Sequence, residues 1–181
     1  MSAIGMNEFM SIPTGMLACD AMLKAADVQL VNAGCVCAGK YYIVVTGDVA
    51  AVRSAVEAGK DGNESTMVDS LVIPNVDAQV APAICACTDV EKLDALGIME
   101  CYSLCAAIHA ADAAAKAADV TLLEVRLGRG LGGKSFILLT GEVAAVEAAI
   151  KAAEAMEETQ GLMAKSCVIP SPHPDMLKAI G

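Results

Sequence analysis

The sequence predicts an α+β protein built from two tandem copies of one unit. Each copy is expected to be a four-stranded, mainly antiparallel sheet with helices on one face. Three observations predict this fold. The chain repeats itself over most of its length, β-rich runs alternate with helical periodicity inside each copy, and the order of elements is the same in both. A chain of 181 residues is long enough for two small domains.

The repeat is visible as three aligned pairs of segments. They are "GMNEFMSIPTGMLACDAMLKAADVQL" (5–30) with "GIMECYSLCAAIHAADAAAKAADVTL" (97–122), "GKYYIVVTGDVAAV" (39–52) with "GKSFILLTGEVAAV" (133–146), and "DSLVIP" (69–74) with "KSCVIP" (165–170). The sequence therefore predicts a first domain over residues 1–90 and a second over residues 91–181.

Each copy reads as strand, helix, strand, strand, helix, strand. In the first copy, "AIGMNEFMSI" is the first strand, and Thr14 is a candidate N-cap for a helix that ends near Ala26. The runs "DVQLVNAG" and "KYYIVVTG" are strands joined by a turn that carries two cysteines. Asp48 is a candidate cap for the helix "VAAVRSAVEAG", and Pro74 ends a fourth strand, "SLVIP". A short helix is expected in "DAQVAPAICAC".

The composition excludes several classes of function. The net charge is −10 and only 3% of the residues are aromatic, which disfavours contacts with nucleic acid through phosphate or stacked bases. The most apolar run is interrupted by charged side chains, and no secretory signal is visible, so we expect neither a membrane span nor export. In the cytosol the eight cysteines would be thiols or ligands rather than disulfides.

Several motifs in a fixed order resemble a known family. They are a Gly-apolar-apolar-Glu opening that ends at Glu8 and Glu100, a helix "D-A-x-x-K-A-A", a turn "G-[DE]-V-A-A-V" and a close "V-I-P-x-P-H". They resemble the shell domain of bacterial microcompartments (the BMC domain). Two such domains in tandem are similar to the T-type shell proteins, particularly those of propanediol-utilisation compartments.

The resemblance implies a structural protein rather than an enzyme. Three chains would form a flat homotrimer with pseudo-sixfold symmetry, here called a tile. Tiles would pack with other microcompartment shell proteins, in the bacterial cytoplasm, around encapsulated enzymes. The resemblance places Lys24 and Lys116 at the tile edge. The first copy ends in "VIPNVD" rather than "VIPSPH", so its edge or face is expected to differ.

The resemblance also implies that the turns Gly34–Gly39 and Arg126–Gly133 line a central pore. The expected pore residues are Gly34, Cys35, Val36, Cys37, Ala38, Gly39, Arg126 and Arg129. The two arginines would give the opening a positive lining, or would pair with carboxylates such as Glu124.

The resemblance to the T-type shell proteins of propanediol-utilisation compartments also implies a role for Cys37, which matches the cysteine that binds an iron–sulfur cluster at their pore. Three thiolates around a threefold axis would hold three corners of one [4Fe–4S] cluster per trimer. Ala38 follows Cys37 where the family has proline, which makes the turn less stiff. Cys35 either lines the same pore one layer away, as a second and weaker ligand candidate, or packs.

The remaining cysteines and both histidines are expected to have structural roles. Packing is expected for Cys19, Cys85, Cys87, Cys101, Cys105 and Cys167. We expect His109 at a surface or interface and His173 at a turn or edge.

Two functions remain possible for the tile centre: a cluster that passes electrons across the shell, or a cluster-free pore for metabolites. A soluble oligomeric ligand-binding or regulatory protein is the alternative from another class.

Overall fold

The computed structural model describes residues 2–180, which form two similar α+β units in one packed body. The first unit contains β1 (Ser2–Phe9), α1 (Ile12–Ala25), β2 (Val28–Val36), β3 (Lys40–Asp48), α2 (Val49–Lys60) and β4 (Met67–Ile73). A short helix, α3 (Val80–Ile84), follows it. The second unit contains β5 (Ala95–Cys101), α4 (Leu104–Ala117), β6 (Val120–Leu127), β7 (Ser135–Gly141), α5 (Val143–Ala155) and β8 (Met163–Ile169).

The two sheets have the same topology. Their strand orders are β2-β3-β1-β4 and β6-β7-β5-β8, with antiparallel ladders between neighbours. The predicted fold class is therefore confirmed. The β2–β3 and β6–β7 turns are consequently at matching ends of the two sheets.

The first long helix of each unit is capped by a serine. The Ser11 hydroxyl accepts a hydrogen bond from the Thr14 backbone N–H at 3.4 Å, and the Ser103 hydroxyl accepts one from the Ala106 N–H at 3.3 Å. The prediction that Thr14 caps α1 is wrong, because the helix begins at Ile12. Asp48 occupies the N-cap position of α2 as predicted, but its side chain makes no capping hydrogen bond.

Helices α1 and α2 pack on one face of the first sheet at close range. A Cβ added to Gly5 on β1 would lie 2.6 Å from methyl groups of Val52 and Val56 on α2. A Cβ on Gly15 of α1 would lie 2.6 Å from Tyr41 on β3. Glycine is therefore required at both contacts, since a side chain would collide with a neighbouring element.

The opposite face of the first sheet packs on the second unit. One continuous buried cluster spans this contact, which we call the in-chain joint. The cluster includes Ile4, Met6, Val44, Leu71, Leu104 and Ile108. Polar groups add to it. The Asp77 N–H donates to the Asp112 carboxylate at 2.8 Å, and the Leu122 N–H donates to the Gln79 side chain at 3.0 Å. The joint thus places the outer face of one sheet against the first helix of the next unit.

Among the helices of residues 2–180, none has the length and apolar character needed to cross a membrane.

Candidate pore site

The β2–β3 turn and the β6–β7 turn contact each other. The Val36 side chain lies 3.1 Å from the position that a Cβ on Gly128 would take, and the Cys37 N–H donates to the Gly128 carbonyl over 3.5 Å. A Cβ on Gly133 would lie 3.5 Å from the Cys37 carbonyl oxygen. The structure therefore brings Cys37 of the first copy beside the glycine-rich turn of the second.

Cys37 is half-buried, and its thiol faces backbone amides of that turn. The N–H groups of Gly130 and Gly132, and more weakly those of Leu131 and Gly133, lower the pKa of the Cys37 thiol. These amides face the sulfur because Gly130, Gly132 and Gly133 have positive φ angles of 74°, 63° and 89°. The lowered pKa increases the fraction of Cys37 present as thiolate, which is the form of cysteine that ligates metals.

Cys35 lies on the last part of β2 and is exposed. Its strand partner is Tyr41, whereas its neighbours Gly34 and Val36 face the second copy. Cys35 is therefore not packed inside the single chain, and its role as a ligand stays a prediction.

The two arginines of the second turn differ in what they contact. Arg126 pairs with Glu124 at 2.5 Å, and its guanidinium lies 5.1 Å from the centre of the Phe136 ring. Arg126 therefore forms the ion pair with Glu124 that was expected as the alternative to a positive pore lining. Arg129 is exposed and reaches the first copy, where its Nη2 atom lies 3.2 Å from the position that a Cβ on Gly34 would take.

The lysines predicted at the tile edge make equivalent ion pairs in the two copies. Lys24 pairs with Asp20, and Lys116 pairs with Asp112, both at 2.6 Å. The first pair is exposed. In the second, Asp112 is buried at the in-chain joint, where it also accepts the Asp77 N–H. The matched lysines therefore have different surroundings.

The expectation that the other six cysteines pack is correct for part of the set. Cys101 and Cys105 are buried, and Cys19 packs partly against the core of the first copy. Burial raises the pKa of Cys101 to about 11, and burial and Asp69 raise the pKa of Cys105. The expectation is wrong within the chain for Cys85, Cys87 and Cys167, which are exposed.

His173 fixes a turn, as predicted. Its Nδ1 atom accepts a hydrogen bond from the Asp175 N–H at 3.2 Å, at the start of the 3₁₀ helix Pro174–Ala179. His109 is half-buried on α4, and burial lowers its pKa.

Within residues 2–180, no three His, Cys, Asp or Glu side chains converge as a metal site. A cluster ligated by Cys37 therefore needs thiols from other copies of the chain. The donor chemistry fits such a group, because the Cys37 side chain is only partly buried and the pKa of its thiol is lowered. Sequence reasoning missed the amides around Cys37. The glycines of "GRGLGGK" indicate a turn with accessible backbone amides, and the repeat places this turn at the position that matches the Cys37 turn.

The chain matches the BMC domain family twice, over residues 3–76 and 95–172. It is 43% identical over 174 residues to the bacterial microcompartment shell protein PduT of Citrobacter freundii, an alignment that covers 96% of this chain and 95% of that protein. It is 40% identical over 88 residues to the shell protein PduA of the same organism, covering 48% of this chain and 91% of PduA.

A solved structure has the same fold over almost the whole chain. The crystal structure of a microcompartment protein from Desulfitobacterium hafniense DCB matches with a TM-score of 0.94 and 48% identity, and covers 99% of both chains. The chain therefore belongs to the BMC domain family and is a tandem-domain structural shell protein of a bacterial microcompartment, a compartment of the bacterial cytoplasm.

Proposed function

We propose that three copies of this chain form one pseudo-hexameric tile with the Cys37 turns at its centre, where three Cys37 thiolates hold an iron–sulfur cluster. The single observation that carries the proposal is the position of Cys37, at a turn that contacts the matching turn of the second copy.

The in-chain joint supplies the geometry for the tile. It joins the outer face of one sheet to the first helix of the next copy, so it is a head-to-tail contact between two related units. Head-to-tail contacts generate rings when the rotation closes. Six BMC domains around an axis correspond to three of these chains.

The surfaces that would continue the ring are uncovered on α1 and partly covered on the second sheet of the single chain. Met16 on α1 is 54% exposed, whereas Ile108, its counterpart on α4, is fully buried in the in-chain joint. The second sheet has an outer face that corresponds to the face of the first sheet buried in the in-chain joint. The corresponding residues are Ile98 for Met6, Phe136 for Tyr42, Leu138 for Val44 and Cys167 for Leu71. The second sheet of one chain therefore matches α1 of another.

The test of the trimer is the molar mass of the purified chain in solution. We expect three chains for the wild type and dissociation for Met16→Lys, because the charge would be buried in the joint between chains. Met10→Lys is the matched control. Met10 is 62% exposed, and its counterpart Tyr102 stays 60% exposed beside the formed in-chain joint. A monomeric wild type, or a Met16→Lys variant that remains trimeric, would contradict the proposal.

A cluster at the tile centre would supply a one-electron carrier in the shell. The Cys37 side chain would ligate it, and the amides of residues 130–133 would surround the ligating sulfur. Iron–sulfur analysis and EPR of anaerobically purified protein test this. We expect iron and sulfide in the wild type and in Cys85→Ser, and loss of both in Cys37→Ser.

The second candidate is an open pore for small anionic metabolites. The exposed guanidinium of Arg129 beside the pore turns favours it. Because a cluster would block the opening, a trimer that is free of iron from cells able to build clusters would reject the cluster and support the open pore.

A further inference from the structure

The chain has two Cys-x-Cys pairs, and the backbone gives them different chemistry. Cys35 and Cys37 flank Val36 at the end of strand β2. Cys85 and Cys87 flank Ala86 immediately after helix α3. Because a disulfide requires Cα atoms about 4.4–6.8 Å apart and Cβ atoms about 3.5–4.5 Å apart, the conformation of the middle residue decides whether a pair can close.

The pair at β2 is held apart by extended backbone. Residues two apart along a strand are about 6.6 Å apart and point to the same side, so their Cβ atoms are separated by a similar distance. Val36 is the last residue of β2, pairs with Lys40 across the ladder and is buried against the second copy. Closing a Cys35–Cys37 disulfide would therefore break this end of the sheet.

The pair after α3 is held close by a left-handed residue. Ala86 has φ of 53°, and the left-handed helical conformation is the mirror image of the right-handed one. It therefore gives its two neighbours the same Cα separation, about 5.4 Å. Two hydrogen bonds fix this helix end: the Ala86 N–H donates to the Ala83 carbonyl at 3.3 Å, and the Cys87 N–H donates to the Pro82 carbonyl at 3.0 Å.

Both cysteines after α3 are exposed, and each thiol lies against a different backbone carbonyl. The Cys87 sulfur lies 3.4 Å from the carbonyl oxygen of Cys85, so its side chain folds back over that residue. The Cys85 thiol donates to the Val31 carbonyl on β2 at 3.3 Å. Burial, and secondarily the neighbouring Cys87, raise the pKa of Cys85, which helps keep this hydrogen bond in the reduced protein.

We propose that Cys85 and Cys87 form a thiol–disulfide exchange site that takes a low-molecular-weight disulfide as its substrate. The pair lies outside both pore turns, so the site is independent of whether Cys37 holds a cluster.

The exchange proceeds through two displacements. One protein thiolate attacks a sulfur of the small disulfide, forms a mixed disulfide and expels one small thiolate. The second protein thiolate attacks the protein sulfur of the mixed disulfide, forms the Cys85–Cys87 bond and expels the other small thiolate. The protein loses two electrons and two protons, and the small disulfide becomes two thiols. Oxidation removes the proton that Cys85 donates to Val31.

The experiment incubates reduced full-length protein with oxidised glutathione, blocks remaining thiols with a maleimide and maps the peptides by mass spectrometry. We expect the Cys85–Cys87 peptide to lose about 2 Da and to carry neither glutathione nor maleimide. The Cys35–Cys37 peptide is the internal control. It should carry maleimide or glutathione, or be protected as a cluster ligand, without losing two hydrogens.

Two variants separate an internal disulfide from general exposure. Cys85→Ser should leave Cys87 as a stable glutathione adduct, while Cys35→Ser should not change the loss at the Cys85–Cys87 peptide. Maleimide or glutathione on both Cys85 and Cys87 at the end of the reaction would overturn the proposal, as would an equal loss of hydrogens from the Cys35–Cys37 pair.

Discussion

At the scale of single residues, the two copies keep the same contact with different pairs of side chains. In the first copy Gly15 on α1 lies under Tyr41 on β3. The corresponding positions of the second copy are Ala107 on α4 and Ser135 on β7. In the first copy a large strand side chain fills the space between helix and sheet, and the helix residue is glycine. In the second copy the strand residue is a small serine, and the helix residue is alanine.

Gly15→Ala should destabilise the protein by about 1–3 kcal/mol, because the new methyl group would collide with the Tyr41 ring in a packed core. Adding Tyr41→Ser should recover much of this loss, since the double variant reproduces the pair found in the second copy. Chemical unfolding of the two single variants and the double variant measures the coupling. Additive losses would show that the two positions do not share the space.

His109 should make stability depend on pH. Burial lowers its pKa in the folded chain, while Glu158, Asp112 and Asp69 oppose that shift. Between the lowered value and the unfolded value of about 6.5, the unfolded chain binds more protons, so stability falls as pH falls through this window. His109→Leu, which introduces the residue found at position 17, should flatten the change in melting temperature between pH 8 and pH 5.5. An unchanged slope would assign it to other groups.

At the scale of elements, the structure corrects the start of α1. Ser11→Ala should lower stability by about 0.5–2 kcal/mol through loss of the N-cap. Thr14→Ala should have little effect, because Thr14 lies inside the helix and contributes its backbone N–H. Thermal unfolding of both variants decides between the two caps, and a larger loss at Thr14 would restore the sequence-based prediction.

The elements could be predicted from the sequence because duplication shows each pattern twice. The start of α1 was mispredicted because both Ser11 and Thr14 are good caps, although Pro13 between them fits the first helical turn. The surroundings of Cys37 could not be predicted in the same way. They depend on long-range contact between two turns, which periodicity within one copy does not report. The exposure of Cys85, Cys87 and Cys167 also depends on tertiary packing, so it could not be predicted from the pattern of one copy.

At the scale of the whole molecule, the two copies present different surfaces to their neighbours. The Lys24–Asp20 pair is exposed, whereas the Lys116–Asp112 pair is tied to the in-chain joint through Asp77. The Lys24 side chain is 74% exposed and the Lys116 side chain 39% exposed, so both lysines remain accessible for contact between tiles.

Lys24→Ala should reduce the formation of ordered sheets by concentrated protein, as seen by electron microscopy, without lowering the melting temperature, since an exposed ion pair contributes little to folding. Lys92→Ala is the control, because Lys92 is an exposed lysine paired with Asp94 in the segment between the copies. Normal sheets from Lys24→Ala would remove this lysine from the tile edge.

The segment between β4 and β5 does more than connect two copies. In the proposed tile, the joint that it holds preformed would replace the assembly of six separate domains by an encounter of three chains. The equilibrium amount of a closed ring would then follow the third power of the free subunit concentration rather than the sixth. A fused chain can therefore complete rings while it is still scarce, before an unfused domain with the same contact strengths would do so.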